Sequence, residues 1–569
     1  MADQATHRTK RLSFLTPLIQ KQFLKNDLIA GLTTSVVGIS SSMAYAAIAG
    51  VNPIFGLFSA IVPAIIGGLF GSSKYLVTGP TNATALVTAS ILIGLNFPPD
   101  RYLDMVFLLA ILSGVVRLLL GIFKAGKILR FVSNAVLTGF ITAVGVLIVF
   151  GQMGNLFGLS IPKNDGLITI IKTLFTGLPQ TNLYVLGVAI ATVMLILLIR
   201  KINRKLPSAF LAIVIVSVLV VIFDLHQYGV RQVIDMSLPD NVFLRFYMPS
   251  FTLKEVSSLL PGAIALALFT LVEGISTAKS FAVIGNEDLD SSKEFISQGV
   301  AAIIGGFFQS IPSSGSPSRT AVNYSSGAKT RRAAIFSGLF LYIILLLFAN
   351  LISYIAIPSL AATVAFSGFS LINFGHIKMT WKTRMTTRLI FVGSFFATLF
   401  LPLHYSIYIG VGLSILLVAL ENNQAHLSTL DLMDDGCVVE QHFVMDDAGR
   451  KYEDIEVLNV NGDLVFGVIE HFEENVRYLL NQDIKVLIIR LRWVHVLGST
   501  GIIALIGLIR QAKAKKVKVI FVGVEPELFS TFEQAGIVDL VGEESIIMAT
   551  PVVYESLREG VGIAEELIN

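Results

Sequence analysis

Residues Ser313–Lys329 read SSGSPSRTAVNYSSGAK, a polar stretch of small residues set between two long apolar segments. Backbone of this kind is tolerated at membrane depth only where protein or a water-filled cavity surrounds it. Pro317 suits the first turn of a helix, where its missing N–H leaves nothing unsatisfied. The stretch therefore predicts a half-helix starting at Ser316–Ser318, with its free N–H groups aimed at an anion. Arg319 marks the same place as functional, because arginine is costly in a membrane segment.

A second stretch matches it. Thr78–Leu86 reads TGPTNATAL, and setting Pro80 against Pro317 aligns Gly79-Pro80-Thr81-Asn82 with Ser316-Pro317-Ser318-Arg319. Both run small residue, proline, hydroxyl, polar residue, and both follow an apolar segment. Interrupted hydrophobic segments at corresponding places in two halves point to a secondary transporter's binding site. Two unrelated loops would have no need of the same order.

The surroundings fit lipid. Of 569 residues, 54% are hydrophobic and 14% charged, against about 25% charged in soluble domains. A net charge of +3 without an arginine-rich aromatic cluster gives no sign of a nucleic-acid partner. The single cysteine, Cys437, excludes an intramolecular disulfide and a Cys-based zinc site. The histidines lack metal spacing, and no catalytic triad or Gly-rich P-loop is present, so the chain does not read as an enzyme.

Taken in order, residues 1–26 form a basic tail, followed by apolar segments at about 28–49, 53–70, 80–95, 103–123, 131–150, 183–200 and 208–224. A second set lies at about 258–282, 296–311, 317–328, 333–352, 358–373, 389–401 and 406–420, giving a membrane domain over 27–422 with repeats 27–225 and 256–422. Seven segments per half is odd, which inverts the second half relative to the first. With the N-terminus cytoplasmic, the inside loops collect Lys74, Lys124, Lys127, Arg130, Arg200, Lys201, Arg204 and Lys205 from the first half. The second half adds Lys293, Lys329, Arg331, Arg332, Lys378, Lys382, Arg384 and Arg388, the asymmetry that the positive-inside rule demands. After a linker at 423–438, strand and helix patterns alternate over 439–560, which predicts a small cytoplasmic α/β domain. Its expected strands include Ile455–Asn459, Leu464–Phe466, Lys485–Arg490 and Val517–Val522.

Several polar groups sit in the apolar segments. Glu273 lies in LFTLVEGISTAKSF with Thr277 one turn later on the same face. A carboxylate and a hydroxyl so placed suit Na+ coordination or reversible protonation. Ser40, Ser41, Ser42 and Tyr45 lie in the middle of the first segment, where close helix packing and cavity lining compete as explanations. Thr81 and Ser318 stand at the two half-helix starts, while Asn82 and Asn323 suit caps or interhelical bonds. Arg319 either meets the anion or neutralises Glu273.

The chain resembles the sulfate permease family, SulP, also called solute carrier family 26. The resemblance rests on SSMAYAAIAGVNPIFGLFSA, GSSKYLVTGPTNATALV, VEGISTAKSFA with GNEDLD, and SGSPSRTAVNYSSGAKT. The C-terminal region resembles a STAS domain through LRWVHVLGSTGIIAL and FEQAGIVDLVGEESI. The resemblance implies an α-helical polytopic membrane protein with fourteen transmembrane segments as a 7+7 inverted repeat, a UraA-like core moving against a gate. It implies a homodimer in the inner membrane, with the N-terminus and the STAS domain cytoplasmic and a regulatory partner at that domain. The anion would lie between half-helices 3 and 10, against Thr81, Asn82, Ala83, Ser316, Ser318 and Arg319, with Ser41, Ser42 and Tyr45 alongside. Glu273 and Thr277 match the coupling-ion positions, for Na+ or H+, with no other cofactor. Three positions depart from the family pattern: Ser40-Ser41 replaces Pro-Gln, Pro317 replaces an aromatic residue, and Gly498 replaces an aspartate two before Thr500. The expected function is secondary transport of a small anion, sulfate first, with Na+-coupled bicarbonate or dicarboxylate transport as alternatives. From another class, a STAS-mediated regulatory or scaffold protein is the rival reading.

Overall fold

The computed structural model describes residues 21–124, 133–160, 167–203, 206–235, 243–421, 426–432, 438–442, 454–464 and 466–569. The tail to residue 20, the loop cations Lys127, Arg130, Arg204 and Lys205, and Cys437 lie outside the described residues. The chain divides into two compact units, Met1–Ile415 and Leu416–Asn569.

The expected apolar segments are helices: α1 Leu24–Ile48, α2 Pro53–Phe70, α3 Asn82–Leu95, α4 Tyr102–Ile122, α5 Asn134–Gly151, α6 Leu183–Ile202 and α7 Ser208–Ile222. The second set is α8 Leu253–Gly285, α9 Ser291–Phe307, α10 Pro317–Ser325, α11 Arg332–Ile352, α12 Ile357–Leu371, α13 Met385–Phe400 and α14 Leu403–Glu421. By length and composition, α1, α2, α4, α6, α8 and α11 can cross a membrane, as can α5 and α12 with the short helices that follow them. α3, α7, α13 and α14 are shorter apolar helices. α8 is longer than its apolar run predicts. A capping box between Thr252 and Glu255 starts it early, and Asn286 in the left-handed region stops it.

The two sets pack by one rule. α4 lies along α9 as α11 lies along α2, and α1 lies on α11 as α8 lies on α4. α5 packs on α13 as α12 packs on α6, and α10 on α1 as α3 on α8. Each of these pairs maps onto its counterpart when seven is added to or subtracted from both helix numbers. Small residues let the paired backbones approach: a Cβ on Gly114 would sit 2.9 Å from the Gly299 carbonyl oxygen, and one on Gly338 would sit 2.7 Å from that of Ile61.

Ion pairs repeat the same exchange. Asp27 of α1 pairs with Arg332 of α11 at 3.2 Å, and it also accepts from the backbone N–H groups of Lys329 and Thr330. Glu255 of α8 pairs with Arg101 at the start of α4, at 3.0 Å. The Tyr102 hydroxyl donates to the Ala49 carbonyl, so α4 begins where α1 ends and the two pairs stand at opposite ends of α1.

At the centre, β1 (Thr78–Gly79) and β2 (Ser314–Gly315) form a two-residue antiparallel ribbon, Thr78 opposite Gly315 and Gly79 opposite Ser314. β1 leads into α3 and β2 into α10. Because the strands run in opposite directions, the two half-helices leave the ribbon in opposite directions from adjacent N-termini.

The second unit is built on a six-stranded sheet of β3 His426–Leu432, β4 Val438–His442, β5 Ile455–Asn461, β6 Val486–Trp493, β7 Lys518–Val524 and β8 Ile546–Met548, in the order β4-β3-β5-β6-β7-β8. β5 to β8 are parallel, and their near-continuous apolar runs are buried between helices. Two boundaries differ from expectation. Residues 423–438 are not merely a linker, because β3 falls within them and pairs antiparallel with β5. Leu464–Phe466 is not a strand: Leu464 makes a single bridge to Leu497, and a helix starts at Phe466. The C-terminal helix Glu555–Ile568 carries the domain past residue 560.

Asp27 is fully buried, with its partner 11% exposed, whereas Arg101 and Glu255 are 26% and 17% exposed. Removing one partner of a buried pair costs about 3–5 kcal/mol. Asp27→Ala is therefore expected to lower the unfolding temperature in detergent sharply. Glu255→Ala should lower it less, by an amount that shrinks in high salt. Equal losses in both variants would contradict the assignment.

Candidate functional site

Thr81 is the N-cap of α3. Its hydroxyl accepts from the Thr84 N–H at 3.2 Å, while the Thr84 hydroxyl accepts from the Thr81 N–H at 3.0 Å. The same Thr81 hydroxyl donates to Glu273 Oε2 at 3.2 Å. Ser316 is the N-cap of α10, with Pro317 at the first helical position and the Ser318 hydroxyl 3.4 Å from its own. The expected start at Ser316–Ser318 is thus where α10 begins. Each cap hydroxyl accepts from one backbone N–H of its first turn, Thr81 from Thr84 and Ser316 from Arg319, and so leaves other N–H groups of that turn without an intrahelical partner.

Arg319 extends from α10 across the ribbon. Its side chain is 1% exposed, and Nη2 donates to the Ala60 carbonyl of α2 at 3.0 Å. Nε and Nη1 have no hydrogen-bond partner among the described residues. The guanidinium lies flat against two glycines. A Cβ on Gly79 would be 2.0 Å from Nη1, and one on Gly38 of α1 would be 3.2 Å from Nε. The two uses open to Arg319 in the sequence are now separated. No described ion pair joins it to Glu273, whose polar neighbours are Ser314 and Thr81. A buried cation with two idle donors is unusual, because buried polar groups are ordinarily hydrogen-bonded.

The remaining residues fall on either side of this gap. Tyr45 of α1 is buried, with the Ser41 and Ser318 hydroxyls as its polar neighbours. Ser41 shares its helix face, one turn earlier, and its hydroxyl donates to the Gly38 carbonyl at 3.2 Å. Ser42 sits elsewhere: its carbonyl is pressed on α2, where a Cβ on Gly56 would come within 1.9 Å. Its hydroxyl is buried with no hydrogen-bond partner among the described residues. Asn82 follows the cap rather than forming it, with Oδ1 buried and unpartnered among the described residues. Asn323 donates from Nδ2 to the Tyr75 carbonyl at 2.9 Å, a bond from α10 to the loop that precedes β1 and not one between helices. Ala83 lies in the first turn of α3 with its side chain buried. Thr277 donates to the Glu273 carbonyl at 2.9 Å, which leaves its lone pairs available to a cation.

Sequence reasoning missed Ser314 and the two glycines. Ser314 donates to the Thr270 carbonyl of α8 at 3.0 Å and holds β2 beside Glu273. Its signal was its place just before the half-helix. Gly38 and Gly79 show their role only once Arg319 lies over them. Exposure is also unequal: Thr81, Asn82 and Ala83 are buried, while Pro317 and Ser318 are open. From Glu273 an exposed stripe of Ser276, Lys279, Ser280 and Val283 runs at helical spacing to the end of α8.

Comparison with known proteins gives a consistent setting. The profile of the Sulfate permease family matches residues 24–394, and that of the STAS domain matches residues 449–559. A probable sulfate transporter 4.2 of Arabidopsis thaliana is 26% identical over 544 residues, covering 92% of this chain and 79% of the relative. The putative sulfate transporter YvdB of Bacillus subtilis strain 168 is also 26% identical, covering 92% of this chain and 96% of its own. The murine Solute Carrier 26 family member A9 anion transporter, solved in the inward-facing state, is similar in fold, with a TM-score of 0.84 at 21% identity over 98% of this chain and 93% of that one.

Gly79 tests the cradle. A methyl group there displaces the Arg319 guanidinium, so Gly79→Ala is expected to leave a folded protein that sulfate no longer stabilises against heat. Gly94→Ala, at a position with open space around it, should keep the wild-type response. Sulfate-dependent stabilisation of the Gly79 variant equal to wild type would contradict the cradle.

Proposed function

This chain belongs to the sulfate permease family, and on that premise we propose that it is a secondary active carrier of a small anion, sulfate first, working by alternating access. The observation that carries the reading is the buried Arg319 guanidinium with two unpartnered donors beside two facing helix N-termini. Each N-terminus supplies the equivalent of about half a positive charge. Pre-aimed, partial charges bind an anion without holding it too tightly to release.

Glu273 couples the anion to a cation, Na+ or H+. The Thr81 hydroxyl touches both the first turn of α3 and the Glu273 carboxylate. A proton or Na+ arriving at Glu273 changes what that hydroxyl bonds to, and so changes the capping of the helix that faces the anion. The oxygen set of Glu273, Thr81, Ser314 and Thr277 suits a hard cation. Na+-coupled bicarbonate or dicarboxylate transport uses the same arrangement and remains the second reading.

Access follows the exposed stripe of α8. With the N-terminus cytoplasmic, that stripe ends on the cytoplasmic side, which supports access from within. The core that carries α3 and α10 then moves against α5, α6, α7 and their counterparts α12, α13 and α14. We place the protein as a homodimer in the inner membrane, with the STAS domain cytoplasmic and available to a regulatory partner.

The test is uptake into proteoliposomes of radiolabelled sulfate, with bicarbonate and fumarate in parallel, with and without a Na+ or H+ gradient. Sulfate flux stimulated by one of the gradients is expected. Glu273→Gln, which keeps the shape but not the charge, should remove the stimulation. Absence of flux for all three anions overturns the carrier, and a persistent cation response in the variant overturns the coupling role.

A further inference from the structure

The connection between α12 and α13 carries charges that the site does not use. α12 stops at Ile372, where the backbone is extended. Asn373 then caps a separate helix, Phe374–Trp381, by accepting from the His376 N–H at 3.0 Å. That helix has no buried residue. Phe374, Lys378 and Trp381 recur at helical spacing on one face, and Lys382 continues it. Lys378, Lys382 and Arg384 are exposed and form no ion pair among the described residues. The surrounding sequence supplies no counter-charge, because no Asp or Glu lies between Glu294 and Glu421.

The apolar part of this face runs on into the flank of the bundle. Phe369 of α12, Phe374 and Trp381 are 60%, 64% and 52% exposed. The rings of Phe369 and Phe374 lie 6.4 Å apart, and Trp381 meets Phe391 of α13 edge-on at 6.2 Å. Phe366, one turn before Phe369, lies under the Arg200 guanidinium at 4.7 Å, and Lys201 follows at the exposed end of α6. The result is a strip of aromatic rings rimmed by cations. Water would solvate the charges and leave the rings bare. A layer of lipid headgroups takes both, with rings at the membrane boundary, lysine stems along apolar surface and ammonium groups at phosphate.

The twofold plan supplies a control. The counterpart connection, between α5 and α6, also holds a helix without a buried residue, Leu167–Gly177. Its sequence, LITIIKTLFTG, contains one cation, Lys172. The fold itself therefore does not require a cluster of positive charge at this place. With the N-terminus cytoplasmic, the cation-rich copy meets the cytoplasmic leaflet, the one that carries anionic lipid.

We propose that residues 374–384 are a docking surface for anionic phospholipid, with Lys378, Lys382 and Arg384 on the headgroups and Trp381 seated just beneath them. The surface belongs to α12 and α13, against which the core moves, so bound lipid holds that part of the protein at a fixed depth. The choice of leaflet rests on the orientation proposed above, and the docking does not.

The chain has two tryptophans, Trp381 and Trp493. Trp493→Phe therefore leaves Trp381 as the single reporter in an otherwise full chain. The protein is placed in phosphatidylcholine nanodiscs containing a rising fraction of brominated phosphatidylglycerol or, in parallel, brominated phosphatidylcholine. Half-maximal quenching of Trp381 is expected at an about fivefold lower fraction of the anionic lipid, or about 1 kcal/mol, the gain of one cation at an anionic surface. K378Q/K382Q/R384Q should erase that preference and leave quenching by brominated phosphatidylcholine as it was. If the triple variant does not fold, about 1 M salt takes its place and should erase the preference by screening. Equal quenching by the two lipids overturns the proposal, as does a preference that survives both the substitutions and the salt. Trp381 that neither lipid quenches is covered by protein, which overturns it as well.

Discussion

The membrane unit depends on four residues of β-ribbon. Two chain segments are broken at the centre of a helical bundle, and every broken turn exposes N–H and C=O groups that lipid cannot satisfy. Thr78–Gly79 and Ser314–Gly315 satisfy part of that need in each other. The Ser316 N–H adds a bond to the Val77 carbonyl, and the Thr320 hydroxyl accepts from the Val77 N–H at 3.1 Å. What remains unsatisfied is gathered at the two helix starts. The same constraint that permits the break thus leaves its residue of unmet hydrogen bonding where an anion can answer it.

The twofold plan organises the scaffold, and departures from it make the site. Helix contacts and end-of-helix ion pairs repeat between the halves. At the centre the repeat fails: the position that aligns with Arg319 is Asn82. One start is sealed and the other open. A symmetric frame gives two facing N-termini, and asymmetric side chains give them charge, access and a single carboxyl.

Much of this was legible in the chain because it is local. Proline and hydroxyl residues fix a helix start within one turn, so the two starts were legible, although the caps are Thr81 and Ser316 and not Asn82 and Asn323. Apolar segments in two sets of seven announced the scaffold. What could not be read depends on rotation and partners. Ser41 and Ser42 are adjacent, yet one is part-exposed and the other buried, a difference of about 100° around the helix. Asn82 looks like a cap until Thr81 takes that role. β3, HLSTLDL, is half polar and reads as linker, because its pairing with β5 is made across the chain. Gly38 and Gly79 are two of 47 glycines until a guanidinium is laid on them.

The ribbon also governs how the protein is made. Val77 and Thr320 are bonded across 243 residues of chain. At about 5–20 residues per second, synthesis separates the two by roughly 10 to 50 s. During that interval the first half sits in the bilayer with a strand edge open, α3 lacking its partner and Asp27 without Arg332. The nascent first repeat is therefore an unfinished client that must be sheltered by the insertion machinery or by lipid-depleted protein surfaces until its twin emerges. Ribosome pausing within the second repeat lengthens that exposure, and the coding sequence between the two ribbon strands becomes a determinant of yield.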